Sequence, residues 1–145
     1  MLFRSGYQGT LGFGFPTAIG VKVAVPDKAV VSIIGDGGFM FGMPELASAA
    51  QHDIGLVTIV FNNNSFGNVR RDQQEKFANR LIGADLDNPD FLKLAESFGV
   101  AGYRVETPQA LKPALEKAID DDKPAIIEVL VEKGSESSPW KYIHR

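Results

Sequence analysis

Ala29-Val30-Val31-Ser32-Ile33-Ile34-Gly35-Asp36-Gly37 is a short β-branched run that breaks at a glycine and delivers a carboxylate immediately afterwards. A second run, Leu56-Val57-Thr58-Ile59-Val60-Phe61, stops at Asn62-Asn63-Asn64, with Asn63 lying 27 residues after Asp36. Both runs have strand length, are rich in Val and Ile and end in turn residues, so each predicts a buried β-strand. Between them, residues 44–52 read as a helix. Pro44 suits a first helical position, Glu45 complements the positive end of the dipole, and Leu46, Ala49 and Ala50 mark one apolar stripe. Strand, helix, strand with short connections is a βαβ unit, whose two strands run parallel with a right-handed crossover.

The pattern continues in both directions. Residues 15–25 predict a helix closed by Pro26, and Asn88-Pro89 open another that runs to Phe98 and stops at Gly99. A short strand is expected over 103–106. Thr107-Pro108 then start a helix carrying Leu111, Leu115 and Ile119, ended by Asp120-Asp121-Asp122, and 125–131 is the last buried strand. The fold class is therefore α/β, a mostly parallel sheet with helices on both faces. One domain is expected over 1–133, then a polar tail, 134–145, holding Trp140 and Tyr142. Residues 70–87 read as a long irregular stretch ordered by a cofactor or partner.

If the two central strands are sheet neighbours, their ends lie about 4.8 Å apart, and Asp36 and Asn63 emerge together. One carboxylate and one amide oxygen, with the backbone carbonyl or hydroxyl of Ser65 two residues on, suit a magnesium ion, which keeps substrate phosphates among its oxygen ligands. Gly37 and Gly38 would let a phosphate approach backbone N–H groups without meeting a Cβ. A magnesium-bridged diphosphate at the carboxyl edge of a parallel sheet is the chemistry implied, at the usual ligand position of such folds.

Gly35-Asp36-Gly37, the 27-residue interval and Asn62-Asn63 resemble the thiamine diphosphate motif, GDG followed at that distance by NN. Gly9-Thr10-Leu11-Gly12-Phe13-Gly14-Phe15-Pro16-Thr17-Ala18-Ile19-Gly20 is similar to a second signature of acetolactate-synthase-like and pyruvate-oxidase-like enzymes. The resemblance extends through Asn88-Pro89-Asp90-Phe91 to the final strand. It implies that Leu11 wedges beneath the cofactor and bends it, that the Gly9 carbonyl accepts from its 4′-amino group and that the Leu11 N–H reaches N3′. It further implies Asp36, Asn63 and Ser65 as magnesium ligands, with Gly35, Gly37, Gly38, Phe66 and Gly67 around the diphosphate. The implied activity is decarboxylation of a small 2-oxo acid, often with carboligation, on thiamine diphosphate and Mg2+; FAD belongs, if anywhere, to a longer enzyme. The activating glutamate is expected on a pyrimidine-binding domain of the same or another subunit, in a homo-oligomer such as a dimer or tetramer. Family domains open with a further strand and helix, so the chain reads as an N-terminally truncated segment, inactive alone.

Singly, Asp36 is a turn cap, Asn62-Asn63-Asn64 a polar loop and Leu11 ordinary core; jointly the cofactor reading prevails. Gly12 and Gly14 fall short of a dinucleotide fingerprint. His52 and His144 are too isolated for zinc, and Arg70, Arg71 and Asp72 read as solvated surface. Acetolactate synthases carry Gln-Trp where Arg71-Asp72 stand, a departure that sets a benzoylformate-, oxalyl-CoA- or sulfopyruvate-type decarboxylase beside the acetolactate-synthase-like reading as alternatives; the reading from another class is a binding or assembly module without activity. At 145 residues and 44% hydrophobic the chain has one domain's worth of core, and a net charge of −3 without a basic stripe argues against nucleic acid. No signal peptide or membrane-length apolar run is present, so a cytoplasmic, non-membrane protein is expected. The absence of cysteine excludes iron–sulfur clusters.

Overall fold

Both diagnostic runs form strands in the computed structural model, which describes residues 9–135. They are β1 (Val30–Gly35) and β2 (Leu56–Asn62), paired in parallel with Val30 opposite Leu56 and Gly35 opposite Phe61. Two further strands, β3 (Ala101–Val105) and β4 (Ala125–Leu130), extend the sheet in the order β1-β2-β4-β3, every pairing parallel. β2 is central, and Leu56 to Val60 are all buried. A strand covered on both faces needs a nearly continuous apolar run, interrupted here only by Thr58.

Period-two alternation sends the two faces to different helices. Val30, Leu56, Val60 and Ile126 meet Phe15 and Ala18 of α1 (Gly14–Ala24), Phe39 of α2 (Asp36–Gly42), Leu46 of α3 (Leu46–Gln51), and Phe91 and Ala95 of α5 (Phe91–Ser97). Val57, Ile59, Val105 and Ile127 meet Ala118, Leu111 and Leu115 of α6 (Pro108–Asp120). Phe15, Phe39 and Phe91 stack edge to face, with centroids 5.3 and 5.7 Å apart. Each buried ring contributes roughly 1.5–3 kcal/mol from area alone. Phe39 lies three residues past Asp36, so the core is anchored directly beneath the turn that carries the carboxylate.

Three expectations are corrected. The helix expected over 44–52 is present as a 3-10 turn, Met43–Glu45, and α3, but an unexpected helix, α2, starts at Asp36 and leads into it. Gly37 and Gly38 disfavour a helix on propensity, but burial of Phe39 outweighs that cost. Pro44, which has no N–H to give, sits where the helix tightens. The irregular stretch expected over 70–87 is helical in its first part, α4 (Gly67–Lys76), which buries no residue and so carries no apolar stripe to read. Its support is electrostatic, from Asp72 with Lys76 and from Arg70 with Asp85. The helix expected from Asn88 starts at Phe91, where the Asp90 carboxylate caps the N–H groups of Leu92 and Lys93. β3 and β4 differ from expectation by one or two residues at their ends.

No helix among the described residues is long and apolar enough to cross a membrane. Trp140, Tyr142 and His144 lie outside the described residues.

Candidate functional site

The register places Gly35 level with Phe61, so Asp36 and Asn62 leave the sheet side by side. Of the three asparagines, Asn62 turns inward: its Nδ2 donates to Glu128 Oε1 at 2.7 Å and its Oδ1 accepts from the Asn64 N–H at 3.1 Å. Asn63 turns outward, its Oδ1 accepting from the Ser65 N–H at 3.0 Å and the Ser65 hydroxyl at 3.1 Å. Asn64 adopts φ 52°, a left-handed conformation that asparagine tolerates, and this sharpens the reversal after β2. Phe66 N–H donates to Ala84 O and Leu86 N–H to Asn64 O, which ties the loop to residues 84–86 and leaves the Ser65 carbonyl outside the ladder.

Two adjoining hollows open at these strand ends. The larger, ≈ 690 Å³, is lined by nine of the ten residues expected at the site: Gly9, Leu11, Gly35, Asp36, Gly37, Gly38, Ser65, Phe66 and Gly67. The tenth, Asn63, lines a smaller recess of ≈ 300 Å³ together with Asp36 and Ser65. Asp36 and Ser65 line both hollows, and Asn63 lines the smaller one beside them.

Leu11 is 48% exposed, which removes it from the ordinary core. The segment bearing it bends through Gly9 and Gly12, both at positive φ, and a Cβ on Gly12 would lie 2.8 Å from Phe41 Cβ. Two separate constraints therefore require glycine at 12. Gly37 has a different reason from the one the sequence suggested. Its N–H donates to Asp36 Oδ1 at 2.9 Å, and a Cβ there would come within 2.6 Å of the Phe66 ring. Gly37 thus seats Phe66 and orients Asp36, whereas a Cβ on Gly35 would meet nothing within 4 Å.

Electrostatics give the site its character. Asp36 is 2% exposed, and its carboxylate receives only neutral donors, the Gly37 N–H and, at 2.8 Å, Asn88 Nδ2. No lysine, arginine or histidine among the described residues pairs with it, whereas a buried carboxylate ordinarily requires a compensating cation. Opposite it, α4 begins without a side-chain cap, and Gly67, Asn68 and Val69 of its first turn line the cleft. The leading N–H groups of a helix lack intrahelical acceptors and carry the positive end of its dipole, which makes this a seat for an anion. A buried unpaired carboxylate, an outward carbonyl and an uncapped helix start are the donor set that magnesium and a diphosphate would need.

The supporting side chains were not singled out from the sequence. Glu128, 2% exposed, accepts from Arg104 Nε at 2.7 Å through its second oxygen. Hydrogen bonding and charge from Glu128, joined by Asp90, hold Arg104 above its ordinary pKa. Asp85 pairs with Lys133 and Arg70, and those partners hold its carboxyl below its ordinary value. A charged residue within a buried strand, as at Glu128, was the signal available for this network.

The description "Thiamine pyrophosphate enzyme, C-terminal TPP binding domain" matches residues 1–129. A probable acetolactate synthase large subunit of Methanococcus aeolicus is 42% identical over 132 residues, covering 90% of this chain and 22% of the relative. The mitochondrial acetolactate synthase catalytic subunit of Aspergillus candidus is 43% identical over 132 residues, covering 91% of this chain and 19% of its own length. A solved structure, the thiamine diphosphate-dependent 4-hydroxybenzoylformate decarboxylase of Rhodococcus jostii RHA1, superposes with a TM-score of 0.79 at 38% identity, over 84% of this chain and 23% of that one. The chain thus spans about a fifth of the length of the relatives it matches.

Proposed function

The chain belongs to the thiamine pyrophosphate enzymes, as their C-terminal TPP-binding domain, and from that premise we propose that it supplies the diphosphate- and magnesium-holding half of the active site of an acetolactate-synthase-like enzyme. Asp36 through its carboxylate, Asn63 through its amide oxygen and Ser65 through its backbone carbonyl would hold Mg2+. The first-turn N–H groups of α4, with Gly35, Gly38 and Phe66 beside them, would take the diphosphate. The Gly9 carbonyl and Leu11 N–H would receive the pyrimidine, and the half-exposed Leu11 side chain would set its bend. Thiamine diphosphate would supply the carbanion chemistry; the residues here bind, orient and exclude water. The expected partners are a pyrimidine-binding domain carrying the activating glutamate, in the same or another subunit of a homo-oligomer, and a small 2-oxo acid. The observation that carries this reading is the buried, uncompensated Asp36 carboxylate facing an uncapped helix start across one cleft.

A second reading is decarboxylation without carboligation. It is supported by the likeness to a decarboxylase structure and by Arg71-Asp72, where Arg71 Nη2 donates to Asn68 Oδ1 at 2.8 Å on a residue lining the cleft. Calorimetric titration of this chain with thiamine diphosphate, with and without Mg2+, tests the common core of both readings. Binding that requires Mg2+ is expected; equal heats without Mg2+ would exclude the proposed ion.

A further inference from the structure

We infer that Asn88 is the positioning residue that aims the Asp36 carboxylate at its cation. The inference rests on the magnesium reading above and extends it to a residue outside the ligand set. Asn88 Nδ2 lies 2.8 Å from Asp36 Oδ2, 3.0 Å from Asn62 Oδ1 and 3.3 Å from Asn64 Oδ1. One side-chain nitrogen therefore gathers oxygens from the end of β1, the end of β2 and the loop that follows. A primary amide has two protons, so three acceptors surround a donor that can satisfy two of them well. Three side-chain oxygens from different parts of the chain thus converge on one amide nitrogen.

The amide also explains how Asp36 stays available. Its Oδ1 is held by the Gly37 N–H and its Oδ2 by Asn88, so both oxygens are fixed in place by neutral donors. A lysine or arginine at 88 would orient the carboxylate equally well but would neutralise it, leaving less charge for a divalent ion. An aliphatic residue would leave the charge but let the side chain turn. Each oxygen keeps further lone pairs, because a carboxylate accepts at about four sites.

Asn88 is itself anchored from outside the cleft. It precedes Pro89, which restricts its backbone, and Asp90 then fixes the chain by capping α5 and by accepting from Arg104 Nη2 at 3.0 Å. Arg104 also grips Glu128, which holds Asn62. The donor at 88 and one of its acceptors are therefore tied to the same guanidinium.

The test is a Mg2+ titration of the full chain at fixed thiamine diphosphate, read by calorimetry, for the unsubstituted protein, Asn88→Ala and Asp90→Ala. Loss of a group that orients a ligand typically weakens metal binding by about 10–100-fold. Asn88→Ala should raise half-saturating Mg2+ by that factor, and enough Mg2+ should restore the thiamine diphosphate affinity of the unsubstituted chain. Asp90→Ala, which loosens the segment carrying Asn88 but leaves the amide itself in place, should shift half-saturating Mg2+ less than Asn88→Ala does. An unchanged Mg2+ requirement in Asn88→Ala overturns the inference while the magnesium site stands. So does an equal shift in Asp90→Ala, or an affinity that Mg2+ cannot restore, since each would mark a merely structural role. No Mg2+-dependent binding by the unsubstituted chain overturns the site reading and the inference with it. Should Asn88→Ala fail to fold, Asn88→Ser, too short to reach all three oxygens, is judged by the same outcomes.

Discussion

Replacing Asp36 by alanine should separate stability from binding. Removing the carboxylate forfeits two hydrogen bonds to a charged group, worth about 1.5–3 kcal/mol each. It also ends the burial, at 2% exposure, of an ion with no protein countercharge, a penalty of several kcal/mol. Asn88 keeps Asn62 and Asn64 as acceptors, so only the Gly37 N–H loses its partner. The two contributions offset each other, and the cofactor-free chain should unfold within about 1–2 kcal/mol of the parent, well short of the 3–5 kcal/mol lost when a buried ion pair is broken. Ligand-linked stability should behave differently. At 100 times Kd a bound ligand adds about 2.7 kcal/mol, which for a chain of this size raises Tm by roughly 5–10 °C. Scanning calorimetry with and without thiamine diphosphate and Mg2+ should show that rise in the parent and none in Asp36→Ala. A rise retained by the variant would refute the ion assignment. A cofactor-free loss above about 3 kcal/mol would refute the reasoning that Asp36 is held at a structural cost, and would make it an architectural cap instead.

Leu11→Ala should leave thiamine diphosphate affinity nearly unchanged and, being half exposed, cost under about 1 kcal/mol of stability, yet reduce kcat of the complete enzyme; steady-state kinetics alongside calorimetry checks both. Thr58→Val should stabilise the chain by about 1–2 kcal/mol in chemical denaturation, because Thr58 Oγ1 is buried in the central strand without a hydrogen-bond partner. The N–H groups of Lys93 and Leu92, with Arg104, hold the Asp90 carboxyl below its ordinary value. Its stabilising contribution is therefore complete above the unfolded carboxylate pKa of about 4 and lost as pH falls through the lower folded value. Asp90→Asn should lower Tm at pH 6, with the gap beginning to close near pH 4 and vanishing only below the folded value; a gap independent of pH would show that the carboxylate charge is not involved.

Legibility followed the range of the interactions. The two β-branched runs and their polar stops made β1 and β2 readable as parallel strands; β2 is buried as expected, whereas β1, read as buried, is an edge strand with Ile33 exposed. Gly9 to Gly12 were readable only through resemblance to a family signature; the structure supplies the physical reason at Gly12, where positive φ and the nearness of Phe41 both demand glycine. What escaped was long-range. Nothing local distinguishes α4, whose charged residues bury no side chain, from a solvated loop. The helix at Asp36 was hidden by two glycines, and only the aromatic contacts of Phe39 with Phe15 and Phe91 decide it. Asn62 and Asn63, adjacent and identical, divide into an inward brace and an outward amide according to whether Glu128, 66 residues away, is within reach.

Comparison of the two buried carboxylates gives the strongest physical argument for where the ligand sits. Among the described residues, Asp36 and Glu128 are each 2% exposed, near the same end of the same sheet. Glu128 has Arg104 at 2.7 Å, and the pair is completed by Asn62, so its charge is neutralised within the protein. Asp36 has two neutral donors and no cation. Burial alone cannot account for the difference, since it is the same at both positions, and neither can a shortage of cations nearby, because Arg70 lies on the helix facing the cleft and is committed to Asp85. The fold directs its own positive charge away from Asp36 and spends neutral hydrogen bonds there, an arrangement that gains stability only when a cation arrives from solution. Substituting lysine for Asn88 should therefore mimic that cation: Asn88→Lys should raise the Tm of the ligand-free chain by pairing with Asp36 while abolishing Mg2+-dependent binding, and a variant that still required Mg2+ would show that the carboxylate serves no ion.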